Sequence, residues 1–185
     1  IIFMQKVETR IVKPTIDGLN KEGIPYTGFV FIGLMNVDGE PFVIEYNARM
    51  GDPETEVVIP RIKSDLVQLF EDTVNLRLDK VQLDVATETA LTVIMASKGY
   101  PGDIEKGKPI HGLDSCPESI VFHAGTSQKE GAIVTSGGRV LAITSMASSI
   151  EEAQKKSMAC ADTISFEGKY FRRDIGDDLK GVATH

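Results

Sequence analysis

The apolar rhythm of the chain changes twice within its first fifty residues. Met4, Val7, Ile11 and Leu19 recur at roughly helical spacing, with Glu8, Arg10 and Lys13 between them. This pattern predicts an amphipathic helix over residues 3–22, ending near Gly23. Pro14 falls inside it and predicts a kink. Residues 27–35 form a nearly unbroken apolar run that predicts a strand, and Asp38-Gly39 is a strong two-residue turn signal leading back into a second strand over residues 42–46. Asp38 is thereby explained by the positive φ of a type I′ turn, and no chemistry is assigned to it.

Farther on, residues 55–61 predict one or two helical turns before Pro60 interrupts. Ser64-Asp65 reads as the cap of a firmer helix whose Leu66, Leu69, Phe70, Thr73 and Val74 face a core. Character changes near residues 78–86, the best candidate boundary. Beyond it the pattern is mostly β: a strand within residues 86–96, a turn-rich stretch over 98–103, and short strands at 109–110, 119–123, 132–135 and 139–146 joined by glycine turns. One helix closes this half, with Ser148 or Ser149 as N-cap, Glu151 or Glu152 completing a capping box, and Ala153, Met158 and Ile164 buried. The tail over 166–176 carries the basic pair Arg172-Arg173. Neither repeats nor low-complexity segments occur.

Composition changes this picture little. With 42% hydrophobic and 25% charged residues, the 185-residue chain is of ordinary globular make-up, large enough for one domain or two small ones. Its 20 basic and 27 acidic residues give a net charge of −7, which argues against non-specific binding to nucleic acid or to an anionic membrane surface. Phosphorylated small molecules remain open, since a few local cations suffice for them. No apolar run approaches the length of a membrane span, and no signal segment opens the chain. Cys116 and Cys160 are too few and too far apart in sequence for a disulfide framework or a zinc site, so a reduced, cytoplasmic protein is the simpler expectation. Cys160 reads as a small core residue and Cys116 as part of a turn. Because the chain opens Ile1-Ile2-Phe3-Met4, already in helical rhythm, it reads as a fragment of something longer.

One stretch concentrates candidate chemistry: Glu45-Tyr46-Asn47-Ala48-Arg49-Met50-Gly51-Asp52-Pro53-Glu54-Thr55. Glu45 and Asn47 end the second strand two residues apart, which places them on one face, about 6.5–7 Å apart along the backbone. A carboxylate and an amide carbonyl are hard oxygen ligands of the kind Mg²⁺ takes when phosphates and water complete its shell. Taken alone, the pair is better read as a strand end capping a turn. Their company shifts the balance, because Arg49, Asp52 and Glu54 follow within seven residues, and polar groups this dense after a buried strand are costly unless paired or used. Arg49 either neutralises Asp52 or grips a phosphate or carboxylate with both arms of its fork. Gly51 and Pro53 set the turn, leaving Asp52 and Glu54 on a loop beside the metal pair. His111 and His123 are lone and read as structural or peripheral. Gly137-Gly138-Arg139 is better explained as a hairpin turn than as an anion cradle. Neither a P-loop nor a dinucleotide fingerprint is present.

These residues resemble a known family. Tyr26-Thr27-Gly28-Phe29 through Gly33-Leu34-Met35, the block from Glu45 to Thr55, and Lys63-Ser64-Asp65-Leu66 closely resemble the phosphoribosylamine-glycine ligases, and the arginine-x-Gly-Asp-Pro-Glu block is specific to them. Gly99-Tyr100-Pro101-Gly102-Asp103, Phe122-His123-Ala124-Gly125-Thr126, Gly137-Gly138-Arg139-Val140-Leu141 and Arg172-Arg173-Asp174-Ile175-Gly176 extend the likeness over nearly the whole chain.

The resemblance implies an α+β fold: the C-terminal part of an ATP-grasp domain over residues 1–80, followed by a small β-rich lobe with one closing helix over residues 81–185. It implies ATP-dependent joining of glycine to 5-phosphoribosylamine through a glycyl phosphate, a step of purine biosynthesis, with Mg²⁺ or Mn²⁺ as metal. On this mapping Glu45 and Asn47 hold the metal, Arg49 steadies the transferring phosphate or the acyl phosphate, and Gly51, Asp52, Pro53, Glu54 and Thr55 shape the substrate pocket. Met50 departs from the family's usual aromatic residue or leucine, a tolerable exchange. The family's N-terminal domain and the lysines and lid that clasp the nucleotide have no counterpart here, so the chain alone is expected to be inactive. The rivals are another ATP-grasp carboxylate-amine ligase with a different acceptor, and a non-catalytic binding module that kept the fold.

Overall fold

A π-helical turn divides the first helical stretch of the computed structural model, which describes residues 2–180. The stretch runs as α1 (Ile2–Val7), the π turn (Glu8–Val12) and α2 (Lys13–Lys21). Pro14 stands at the start of α2, where its missing N–H leaves the carbonyl four residues back without a helical partner. A locally widened helix absorbs that loss, so the disturbance expected at Pro14 takes the form of a π turn. Val7 and Ile11 are the buried residues of this stretch. Next to them Lys6 and Arg10 both reach Glu40, at 2.5 and 2.6 Å. The hydrogen bond from Lys6 is the main reason the Glu40 carboxyl lies below the usual carboxylate range.

Strands β1 (Phe31–Val37) and β2 (Glu40–Asn47) form the expected antiparallel hairpin, with Asp38 at φ +53° and Gly39 at φ +81°. β1 begins four residues later than the apolar run predicts. Gly28 takes φ +150°, and the Tyr26 hydroxyl lies 2.7 Å from the Phe29 carbonyl oxygen and 3.1 Å from that of Ala48, which occupies this segment outside the ladder. The pairing slips once. Gly33 faces Glu45 whereas Leu34 faces Val43, so Ile44 is the extra residue of a bulge.

Contact density divides the chain into two units, residues up to 51 with 64–82, and residues 52–63 with those from 83 onward. The short helix α3 (Thr55–Val58) and a 3₁₀ turn containing Pro60 therefore belong to the second unit. Helix α4 (Leu66–Val74) belongs to the first, capped as predicted by Asp65, which accepts from the Gln68 N–H at 2.9 Å. Its expected apolar face is only partly buried. Leu66, Leu69 and Thr73 are half-buried, but Phe70 and Val74 are exposed, because among the described residues only Phe29 supplies an aromatic partner, edge-on to Phe70 at 6.1 Å.

The second unit has a four-stranded antiparallel sheet in the order β4-β7-β3-β8, built from β3 (Thr89–Ser97), β4 (Ile120–His123), β7 (Arg139–Ala147) and β8 (Lys169–Tyr170). A separate hairpin joins β5 (Thr126–Lys129) to β6 (Ala132–Thr135). The strand predicted at 109–110 is reduced to isolated bridges, Pro109 to Val134 and His111 to Ser165. Because side chains alternate along a strand, Val93 and Met95 share a face with their partners Ile143 and Leu141, and all four are fully buried. Helix α5 (Ile150–Thr163) closes the core with Ala153, Cys160 and Ala161, and Ile164 at its C-cap is buried too. Ser149 is the N-cap, accepting from the Glu152 N–H at 3.2 Å, while the Glu152 carboxylate takes the Ser148 hydroxyl at 2.7 Å. Each such cap is worth about 1 kcal/mol.

The two cysteines correct the sequence expectation. Cys116 and Cys160 are joined as a disulfide, with Cα atoms 5.4 Å apart. Gly112, at φ +82°, brings the turn that carries Cys116 against the end of α5, where a Cβ on residue 112 would stand 3.0 Å from the Thr163 carbonyl oxygen. No helix among the described residues is long and apolar enough to cross a membrane.

Candidate functional site

The end of β2 brings Glu45 and Asn47 together as their spacing predicts. Both side chains leave the same face of the hairpin, and the Asn47 amide nitrogen lies 3.0 Å from Glu45 Oε1. Gly33, directly opposite Glu45, makes room for it: a Cβ at residue 33 would come within 3.0 Å of Glu45 Cγ. The donor set suits a hard dication. Turning the Asn47 amide over, an orientation set by its hydrogen bonds, would place its carbonyl oxygen beside the carboxylate. Two protein oxygens with phosphate and water completing the shell is the usual Mg²⁺ arrangement. Among the described residues no group of three or more His, Cys, Asp or Glu side chains could hold a metal.

Beside Asn47 lies a hollow of about 340 Å³ whose lining from Leu19, Ile24, Tyr26, Val30 and Tyr46 is almost wholly apolar. The Tyr46 hydroxyl is held 3.0 Å from Thr15 Oγ1, tying β2 to α2. Arg49, just past the strand, is exposed and donates to the Met50 carbonyl oxygen at 2.8 Å. Its guanidinium therefore retains donors for an incoming anion.

Asp52 does not pair with Arg49 as one reading of the sequence suggested. Its carboxylate is forked by Arg139, with Nη1 to Oδ1 at 3.0 Å and Nη2 to Oδ2 at 2.9 Å. The Asp52-Pro53 peptide is cis. Glu54 and Thr55 then start α3, with the Glu54 carbonyl accepting from the N–H groups of Val57 and Val58. The eleven-residue motif is thus divided between the two units, Glu45 to Gly51 in one and Asp52 to Thr55 in the other.

Sequence reasoning missed Arg139. Gly137 and Gly138 do not form a hairpin turn, since β6 and β7 belong to different sheets. They serve close approach instead: a Cβ on Gly138 would be driven into the Tyr100 ring, and Gly137 packs its Cα on Gly125. The signal available was the Gly-Gly-Arg triplet itself, whose partner lies 87 residues away.

The family model described as phosphoribosylglycinamide synthetase, ATP-grasp (A) domain, matches residues 2–55, and that for the C domain of the same synthetase matches residues 90–178. A bifunctional purine biosynthetic protein of Pichia angusta is 47% identical over 94% of this chain and 22% of its own length. The phosphoribosylamine–glycine ligase of Caldanaerobacter subterraneus subsp. tengcongensis is 45% identical over 93% of this chain and 41% of its own. The crystal structure of phosphoribosylamine–glycine ligase from Thermotoga maritima superposes with a TM-score of 0.76 at 38% identity, covering 93% of this chain and 42% of that one. N5-carboxyaminoimidazole ribonucleotide synthetase from the same organism shares the fold, at 18% identity and a TM-score of 0.55. The chain spans less than half the length of each of these proteins.

Proposed function

The chain belongs to the phosphoribosylglycinamide synthetase family, and on that premise we propose that it is the C-terminal portion of an ATP-dependent ligase joining glycine to 5-phosphoribosylamine in purine biosynthesis. In this reading a glycine carboxylate oxygen attacks the γ-phosphorus of ATP, ADP leaves, and a glycyl phosphate forms. The amine of phosphoribosylamine then attacks the acyl carbon and gives up a proton as phosphate departs, leaving the amide. Phosphoryl transfer asks a protein mainly for positioning and for charge stabilisation.

The observation that carries the reading is the Glu45–Asn47 pair at the end of β2, with Gly33 clearing its space. These two side chains would hold Mg²⁺ or Mn²⁺, which when bound offsets negative charge on phosphate oxygens. Arg49 faces the transferring phosphoryl group or the acyl phosphate with its free donors. Gly51, Asp52, Pro53, Glu54 and Thr55 shape the substrate pocket. Residues 1–80 supply the ATP-grasp share of the work and residues 81–185 the β-rich lobe, a functional division that differs from the packing, in which 52–63 lie with the second unit. Substrates are small molecules, in keeping with a net charge of −7 that disfavours nucleic acid and anionic membranes, and the expected compartment is the cytoplasm. The nucleotide clasp would come from the rest of the enzyme.

Glycine- and phosphoribosylamine-dependent phosphate release from ATP by the full-length protein tests this reading, with other amino acids and amines as competitors. Preference for a different acceptor pair would overturn it. The same assay on this chain alone should give no turnover.

A further inference from the structure

Two residues of β7 reach the Asp-Pro-Glu-Thr loop and the helical turn that follows it. At the start of that strand, Arg139 forks the Asp52 carboxylate, and its Nη1 lies 3.5 Å from the Asp52 carbonyl oxygen as well. Five residues along, the Thr144 hydroxyl donates to the Glu56 carbonyl oxygen at 2.9 Å. Pro53, Glu54 and Thr55 lie between the two in sequence. The Arg139 end is itself rigidly seated. Its carbonyl accepts the Gly125 N–H at 2.8 Å, Ser97 holds the carbonyls of Gly138 and Gly137 at 2.8 and 3.1 Å, and Gly125, Gly137 and Tyr100 leave no space for a side chain on the glycines of this corner.

We propose that Arg139 is a positioning residue for the reaction: through Asp52 it sets the orientation of the Asp52–Thr55 loop that meets the substrates. The proposal rests on the ligase reading above for what the loop does, and on the two anchors for how it is held. Stability is a poor account of the pair. Arg139 and Asp52 side chains are 38% and 55% exposed, and exposed ion pairs contribute about 0–1 kcal/mol. What a fork adds is direction, because two parallel hydrogen bonds fix the plane of the carboxylate and with it the backbone that carries it. Lysine at this position would keep the charge and lose the plane. The Arg172–Asp174 fork, more exposed still, joins residues two apart, so it holds nothing distant and serves as a control.

The test uses the full-length protein. Arg139→Gln and Asp52→Asn should each raise KM for glycine or phosphoribosylamine about tenfold while kcat changes less and Tm stays near wild type. The double variant should be no worse than either single one. The exchanged pair Asp52→Arg with Arg139→Asp should recover part of the loss, Arg139→Lys should recover less, and Arg172→Gln should match wild type. Amide hydrogen exchange over residues 54–58 should quicken in Arg139→Gln. Unchanged KM with unchanged exchange would overturn the proposal, as would additive losses in the double variant or a fall in Tm large enough to explain them. If wild type releases no glycine-dependent phosphate, the ligase reading fails, and the exchange measurement alone then decides whether Arg139 holds the loop.

Discussion

Gly33 faces Glu45 across the β1–β2 hairpin in the pair that flanks the bulge at Ile44, and a Cβ at 33 would stand 3.0 Å from Glu45 Cγ, so a side chain there would push Glu45 by a few tenths of an ångström from its place beside Asn47. Glycine inside a strand ordinarily costs about 0.5–1 kcal/mol relative to alanine. Here the space outweighs that cost. Gly33→Ala should therefore leave the thermal midpoint of the full-length enzyme nearly unchanged while raising the Mg²⁺ concentration for half-maximal turnover, by roughly three- to tenfold. A metal titration of the initial rate measures it, and an unchanged requirement would show that Glu45 does not depend on this clearance.

The metal pair itself makes a sharper prediction. Replacing Glu45 by Gln keeps the shape and removes the charge, so metal affinity should fall by more than tenfold, at least ~1.4 kcal/mol. Asn47→Ala should act in the same direction and less strongly, because a neutral carbonyl is the weaker ligand for a hard dication. Mn²⁺ binding followed by electron paramagnetic resonance reads both without relying on turnover. Equal affinities in wild type and Glu45→Gln would move the metal elsewhere.

How much of this was legible in the sequence depended on how local the cause was. The hairpin, its Asp38-Gly39 turn, the Asp65 and Ser149 caps and the shared face of Glu45 and Asn47 all follow from spacing within a few residues, and the structure has them. The late start of β1 depended on Tyr26 reaching the carbonyl of Ala48, 22 residues away, and no propensity reports that. Asp52 found Arg139 rather than the nearer Arg49 because α3 lies on the face of the sheet that presents Thr144, carrying the loop to β7. The Gly-Gly-Arg triplet was visible, but its glycines read as a turn because their close neighbours, Gly125 and Tyr100, are distant in sequence. The cysteine pairing was hidden for the same reason.

A buried line of hydroxyls links α5 to the sheet. Ser157, with no exposed surface, lies 3.0 Å from the Leu91 carbonyl oxygen and 2.9 Å from Ser145 Oγ, which in turn lies 2.7 Å from Ser119 Oγ. Ser157→Ala removes one member, taking a hydrogen bond from the Leu91 carbonyl and leaving Ser145 with Ser119 alone, which should cost about 0.5–1.5 kcal/mol. The midpoint of urea unfolding should fall accordingly, with little effect on metal binding. A midpoint within error of wild type would mean that water or a neighbouring hydroxyl takes over.

Acid should loosen the tail of the second unit. The hydrogen bond from Arg173 is the main reason the Asp162 carboxyl lies below its usual range, with the positive charges of Arg173 and Lys169 adding to it and burial opposing. A carboxyl lowered on folding contributes stability above its unfolded value of about 3.9, and loses it as pH falls through the lower folded value. Asp162→Asn should thus be slightly less stable than wild type at pH 7, and the gap should narrow as pH falls below about 3.9. Thermal melts across that range check the sign, and a gap that widens in acid would refute it.

The disulfide offers the largest single effect on stability. Cys116 and Cys160 close a loop of 44 residues in sequence separation, for which chain entropy gives about 4 kcal/mol at most and measured bonds usually give about 2–4. Reduction should lower the thermal midpoint on the order of 10 °C, and Cys160→Ser should match the reduced wild type and no longer respond to dithiothreitol. The fold should survive, since Cys160 is also packed in the core with Ala161 and Ile164 as a small side chain would be. In a reducing cytoplasm the bond would open, leaving the turn that carries Cys116 held by the hydrogen bond between Ser119 and Ser145. Alkylation of the native protein before and after reduction, followed by intact mass, counts the thiols; two free thiols before reduction would mean that the pair stands close without bonding.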